Sequence, residues 1–212
     1  IMKIFSLKKV IISALLLTIS FFIEFVFTKF FFQDCHGALI KLELLPIILI
    51  GFLFGFKFSL CANCIYVAIH TALEWSIITT FSLNRIKYLQ LLFVVFFFIL
   101  PYMAYSLSGL FYTRKSPYLI KKNIITSLLL ISLIQIISYI VCIYIFYYYA
   151  YDSVFCIFES DSWIINQLNL NLSVYWIFFI YINVTIWLTN LVIGSILCFL
   201  KPIINENIEL GL

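Results

Sequence analysis

The chain reads as an all-α, polytopic membrane protein: a six-transmembrane-helix bundle with both termini cytoplasmic. Three features lead to that reading: a composition too apolar for water, six long apolar stretches, and Lys and Arg gathered mostly on one side of them. Of the 212 residues, 65% are apolar and 10% are charged, with a mean hydropathy of +1.17. A soluble domain carries about a quarter of its residues as charges to cover its surface. The length suits one transmembrane helical domain over residues 1–212, with no room for a second, soluble one.

Crossing the hydrocarbon core takes about 20 mostly apolar residues in a helix. Six segments supply them, at about 9–31, 38–56, 58–80, 88–112, 123–150 and 171–199. Continuous apolar runs point to helices, because the strands of a barrel alternate over about ten residues. The first run follows Lys8 and Lys9 but exceeds the roughly 7–15 residues of a signal-peptide core, and no small-x-small cleavage site follows it. It is expected to remain as a helix. The second is the shortest and carries Lys41, Glu43 and Pro46, which leaves open a buried or re-entrant helix. The fifth is long enough to tilt or to project beyond the bilayer.

With six spans, both ends share a side. The N-terminal Lys3, Lys8 and Lys9, the turn at Lys57, the loop with Arg114, Lys115, Lys121 and Lys122, and Lys201 fall together there. Lys29, Lys41, Arg85 and Lys87 fall on the other side, with Asp152, Glu159 and Asp161. The positive-inside rule puts the first group in the cytoplasm. The net charge of +4 is thereby explained by topology and calls for no nucleic-acid partner.

Enzyme chemistry finds no foothold. There is no Gly-x-x-x-x-Gly-Lys-Ser/Thr loop for ATP phosphates and no His-Glu-x-x-His pair, and His36 and His70 are the only histidines. Cys61-Ala-Asn-Cys64 has the spelling of a metal motif but sits mid-span without a second pair, which suits two small hydrophobes better than zinc. A pair between Cys35 and Cys156 is conceivable outside the membrane. No cofactor is expected. No inverted repeat relates the first three segments to the last three, which counts against a self-sufficient transporter.

Polar residues inside spans are costly and usually face the bundle interior or a cavity. Glu24 precedes Lys29 closely enough to pair with it or to snorkel. Glu43 can serve as an interfacial cap near Lys41 or face a binding cavity. Glu74 and Trp75 join a carboxylate to an aromatic ring, a combination that suits a cationic heterocycle and equally a membrane-interface belt. On the sixth segment, Trp176, Asn183, Trp187 and Asn190 share one helical face. That face wants a flat hydrogen-bonding ligand or a partner helix, since Asn side chains bond across helices in lipid. Asn190, deeper toward the cytoplasm, suits the second role. Trp163 in the preceding loop is placed to close over such a site.

The run Leu42-Glu43-Leu44-Leu45-Pro46-Ile47 followed by Gly55-Phe56-Lys57 resembles a stretch of the substrate-binding S components of energy-coupling factor (ECF) vitamin transporters, thiamine type. Leu100-Pro101-Tyr102 through Leu107-Ser108-Gly109-Leu110-Phe111 is similar to that family's fourth helix, and Phe178 to Asn190 is compatible with its sixth. The specific likeness covers some thirty residues, the layout most of the chain. Asn183 matches a ligand-contacting Asn of the family, with Phe178 where the family has Tyr. The family's acidic-aromatic pair falls on Phe97-Phe98, its fifth-helix His has no counterpart near Ser138, and its Ala-x-x-x-Ala face on the first helix is approximated by Ala14 and Thr18.

The resemblance implies a membrane subunit that captures a vitamin, thiamine or a relative, and docks on a membrane coupling subunit driven by two ATPase subunits. The ligand site is expected at Glu74, Trp75, Trp163, Tyr181, Asn183 and Trp187, built from aromatics and a few polar groups. Two further readings stand beside it: a stand-alone small secondary transporter, and a structural membrane protein without a small ligand.

Overall fold

The computed structural model describes residues 7–26, 40–73, 91–112, 119–149 and 174–209, and among them every regular element is helical. Helix α1 is Leu7–Val26, α2 is Leu44–Phe54, α3 is Phe56–Leu73, α4 is Leu91–Phe111, α5 is Lys121–Tyr149 and α6 is Val174–Glu209. Five of them are long and apolar enough to cross a membrane; α2, at 11 residues, is shorter. At 1.5 Å per residue it rises only about 16 Å, roughly half of a 30 Å hydrocarbon core. Within the second expected span this helix covers Leu44–Phe54.

The sequence explains where α2 begins. Lys41 and Leu42 turn into the helix through bonds from the Leu44 and Leu45 amides, at 3.3 and 3.0 Å. Pro46 falls in the first turn, where a missing N–H leaves no bond unmade. From there the helix is apolar all round: Leu44, Pro46, Ile47, Ile48, Ile50, Gly51 and Phe52 are all buried. A helix of that kind belongs at the centre of a bundle. It stops at Gly55, whose φ of +87° only glycine adopts without strain, and α3 starts one residue later.

Around α2 the other helices invert the pattern of a soluble protein. On α1, Leu7, Ile11, Leu15, Ile19, Phe22 and Phe25 face outward, whereas the residues fully covered are Ser13 and Ser20. In lipid, large apolar side chains gain nothing by association, so small and polar residues line the seams. The tightest approach joins α2 to the end of α4. Ser108 donates to Ile48 O at 3.1 Å, and a Cβ on Gly109 would lie 2.5 Å from the Phe56 backbone.

Helix α4 is irregular for a local reason. Val94–Ile99 is π-helical, with the Leu100 amide reaching back to Val95 O, and Pro101 follows at once. The last two turns, Ala104–Phe111, tighten to 3₁₀. Carbonyls on this stretch are taken up by α5, since Ser138 donates to Phe96 O (2.6 Å) and Gln135 to Pro101 O (3.2 Å). Asn190 of α6 completes the core between α4, α5 and α6. Its amide donates to Ser132 Oγ at 2.7 Å and Gln135 Oε1 at 3.2 Å, and its carbonyl accepts from Tyr105 at 3.3 Å.

The contacts also fix the direction of each helix. Lys9 lies over the Phe54 ring at 5.9 Å, bringing the start of α1 to the end of α2. Asn205 brackets Leu119, accepting from its amide at 2.8 Å and donating to its carbonyl at 3.4 Å, so α6 finishes where α5 starts. Asn123 reaches Phe111 O and Gly109 abuts Phe56. The beginnings of α1, α3 and α5 and the ends of α2, α4 and α6 thus share one end of the bundle, called here the Lys9 end.

Candidate functional site

Away from the Lys9 end, the stretch before α2 places non-helical backbone inside the bundle. Such backbone is tolerated at membrane depth only where protein satisfies it. Here the Lys41 amide donates to Thr189 Oγ1 of α6 at 3.1 Å, and Ser20 of α1 donates to Glu43 O. The Lys41 ammonium donates to the Tyr102 hydroxyl at 2.6 Å and lies 5.0 Å from the centroid of the same ring. The Glu43 side chain is buried, with Lys41 as its attracting charge.

Next to this dip, α1 and α3 contribute a carboxylate–imidazole–phenol group. Nδ1 of His70 is 2.6 Å from Glu24 Oε1, and the Tyr66 hydroxyl donates to Glu24 Oε2 at 3.0 Å. Aromatic rings pack the group from several sides. Tyr66 stacks on Phe21 at 5.0 Å and lies parallel to His70 at 5.7 Å; Tyr102 and Phe98 of α4 approach His70 at 4.6 and 6.2 Å. The result is one polar-aromatic cluster: Glu24, Lys41, Glu43, Tyr66, His70 and Tyr102. Two carboxylates face one ammonium and one imidazole, with ring faces between them. Such a set can bind a small cationic or zwitterionic ligand or hold a proton.

Three of the six expected site residues, Tyr181, Asn183 and Trp187, lie on described parts of the structure. Glu74, Trp75 and Trp163 fall outside the described residues, as do Lys29, Cys35 and Cys156. Tyr181, Asn183 and Trp187 are on α6, the first two half-buried and the third exposed. Trp187 is 50% exposed and Trp176 60%, on the outer surface of the helix. Asn183 is partly buried and donates to Phe179 O of its own helix at 2.7 Å. With Phe179, Ile180, Val184, Trp187, Leu188 and Leu191 it lines a shallow apolar groove of about 350 Å³. The predicted Trp–Asn face therefore runs along the edge of the bundle, and only Asn190 turns inward, into the helix-bridging role expected of it.

Of the remaining positions, Cys61 and Cys64 are free thiols on the exposed side of α3, and no group of metal-ligating side chains occurs among the described residues. Phe98 reaches the cluster's edge against His70, and Phe97 packs on Phe98 at 5.1 Å and on Tyr139 at 5.3 Å. Ser138 is engaged with α4.

Sequence reasoning weighed Glu24 and Glu43 singly and left out Lys41, Tyr66, His70 and Tyr102 as site residues. A signal was present. Ser13, Ser20 and Glu24 on α1 precede Ser59, Tyr66 and His70 on α3 by one constant interval. Two parallel helices with matched polar positions make a seam.

Comparison with family models, with curated proteins and with solved structures returns no match.

Proposed function

We propose that this chain is a membrane substrate-binding subunit, an S component of an ECF-type importer, that captures a small vitamin, thiamine or a relative. The observation that carries the reading is the internal cluster around the dip at Lys41–Glu43. The two runs that resemble the family, 42–57 and 100–111, pack on one another through Ser108, Gly109 and Gly51 and bring Lys41, Glu43 and Tyr102 to it. The cluster's charges and ring faces suit a cationic heterocycle. Ala14 and Thr18, which stand where the family's coupling-subunit contact falls, are exposed on α1. That face would meet a membrane coupling subunit carrying two ATPases, with both ends of the chain on the cytoplasmic side. The protein itself would do no chemistry.

The test is a titration of the detergent-purified chain with thiamine, riboflavin and folate, read by tryptophan fluorescence. Saturable quenching by one vitamin, weakened at least tenfold in Glu43→Gln, is the expected outcome. The same measurement on Asn183→Ala tells the internal cluster from the α6 face as the binding site. No response from a folded protein to any of the three sinks the vitamin reading.

One observation favours a second reading, a stand-alone secondary transporter. Glu24 and His70 form the kind of intramembrane carboxylate–imidazole contact that moves protons in carriers.

A further inference from the structure

Below the cluster, toward the Lys9 end, α1 and α3 carry buried polar groups without a hydrogen-bond partner among the described residues. Asn63 is 0% exposed, and neither its amide nitrogen nor its carbonyl oxygen has a hydrogen-bond partner among the described residues. The same holds for the hydroxyls of Ser13 and Ser59, at 5% and 1% exposure. A buried amide left unpaired in an apolar medium costs several kcal/mol, and no lipid can supply a partner. Internal water is the usual answer, each molecule making about three bonds to such groups.

The spacing turns these groups into a track. Ser59, Asn63, Tyr66 and His70 are all buried or nearly so on α3, and Ser13, Ser20 and Glu24 follow the same intervals on α1. Helix rise separates successive levels by about 4.5–6 Å. One water with two hydrogen bonds of about 2.8 Å bridges such a step. At the Lys9 end, Ser13 is one turn from Lys9 and Ser59 two residues from the exposed Lys57. At the far end the track meets the Tyr66 hydroxyl, already donating to Glu24, and then His70.

We propose that the α1–α3 seam is a hydrated proton path, in which Ser13, Ser59 and Asn63 hold a file of water leading to the Glu24–His70–Tyr66 group as its proton-binding station. A proton arriving along the file is taken up by the Glu24–His70 pair as a unit and leaves either toward Lys41 and Glu43 or back along the seam. The charged and titratable groups facing the station are Lys41 and Glu43 from the approach to α2 and Tyr102 from α4, with Tyr105 of α4 and Tyr139 of α5 facing Lys41 in turn. Lys41 and Glu43 offset one another, so the station does not depend on a large net charge around it. This inference goes beyond the vitamin reading and does not rest on it.

The experiment uses the full chain in liposomes loaded with a pH-sensitive dye, with the membrane potential clamped and no vitamin present. After an external pH jump, wild-type vesicles should equilibrate several-fold faster than protein-free vesicles. Asn63→Leu, which matches the volume but cannot hold water, should slow that flux about tenfold, and Glu24→Gln should do the same. If Asn63→Leu fails to fold, the double variant Ser13→Ala and Ser59→Ala carries the same expectation with smaller side-chain changes. Wild-type flux equal to the leak of empty vesicles overturns the proposal. So does unchanged flux in folded Asn63→Leu and Glu24→Gln.

Discussion

Lys41 is the residue on which the interior depends most. Its amide is held by Thr189 and its ammonium by Tyr102, and it supplies the attracting charge for the buried Glu43. Removing one of two opposite buried charges leaves the other without its counter-charge, which is destabilising. Lys41→Met should therefore lower the thermal midpoint in detergent sharply, and Lys41→Met combined with Glu43→Gln should regain most of the loss. Additive losses in that cycle would show that the two charges do not interact. Little of this was legible in the residues taken singly. Lys41 and Glu43 looked like neighbours near a helix end, because nothing local in sequence says that the chain dips inward there; Thr189, which holds it, lies 148 positions away. His70 was hidden for a similar reason, since its partner Glu24 belongs to another helix and only a comparison of intervals between helices points to the pair.

Among the elements, α2 and α4 share the closest interface, and glycine makes it possible. A Cβ at Gly109 meets main-chain atoms of Gly55 and Phe56 rather than a flexible side-chain tip. Gly109→Ala should thus destabilise the bundle by about 1–3 kcal/mol, the usual cost of overpacking, seen as a lower thermal midpoint. Gly55→Ala adds left-handed backbone strain to a Tyr112 contact at 3.0 Å. A Gly109→Ala protein as stable as wild type would mean that α4 is free to shift away from the Gly55–Phe56 turn. The helices themselves were largely readable: α1, α3, α4 and α5 begin or end within a few residues of their apolar runs. Two departures have physical causes. Lys41, Glu43 and Pro46 delay the start of α2, so that its helix is short. Helix α6 continues to Glu209, past the expected end near 199, because Pro202 does not stop it and Asn205 ties the extra turns to Leu119.

At the level of the whole molecule, the described lysines other than Lys41 gather at one end of the bundle: Lys8 and Lys9 of α1, Lys57 of α3, Lys121 and Lys122 of α5, and Lys201 of α6. A membrane reads such asymmetry as cytoplasmic orientation. With the six native cysteines replaced, Lys57→Cys and Lys201→Cys should both react with an impermeant maleimide only from the cytoplasmic side. Labelling from opposite sides would break the direction assigned to α3 or α6. An all-helical fold with helices long and apolar enough to cross a membrane was written plainly in composition and hydropathy, whereas the side of α6 that packs inward was not. Periodicity puts Trp176, Asn183, Trp187 and Asn190 on one side of α6 but cannot say which part of that side meets lipid and which a neighbour. Packing decides it: Asn190 and Thr189 turn toward α4, α5 and Lys41, while Trp176 and Trp187 stay exposed.

The dip before α2 has a consequence for biogenesis. Ribosomes deliver α2 early, yet the hydroxyl that receives the Lys41 amide is synthesised with the last helix. An 11-residue helix preceded by Lys41 and Glu43 is a poor substrate for insertion on its own. The Lys41 amide can reach its acceptor only once α6 has emerged, so this stretch of chain is tied down well after it is made.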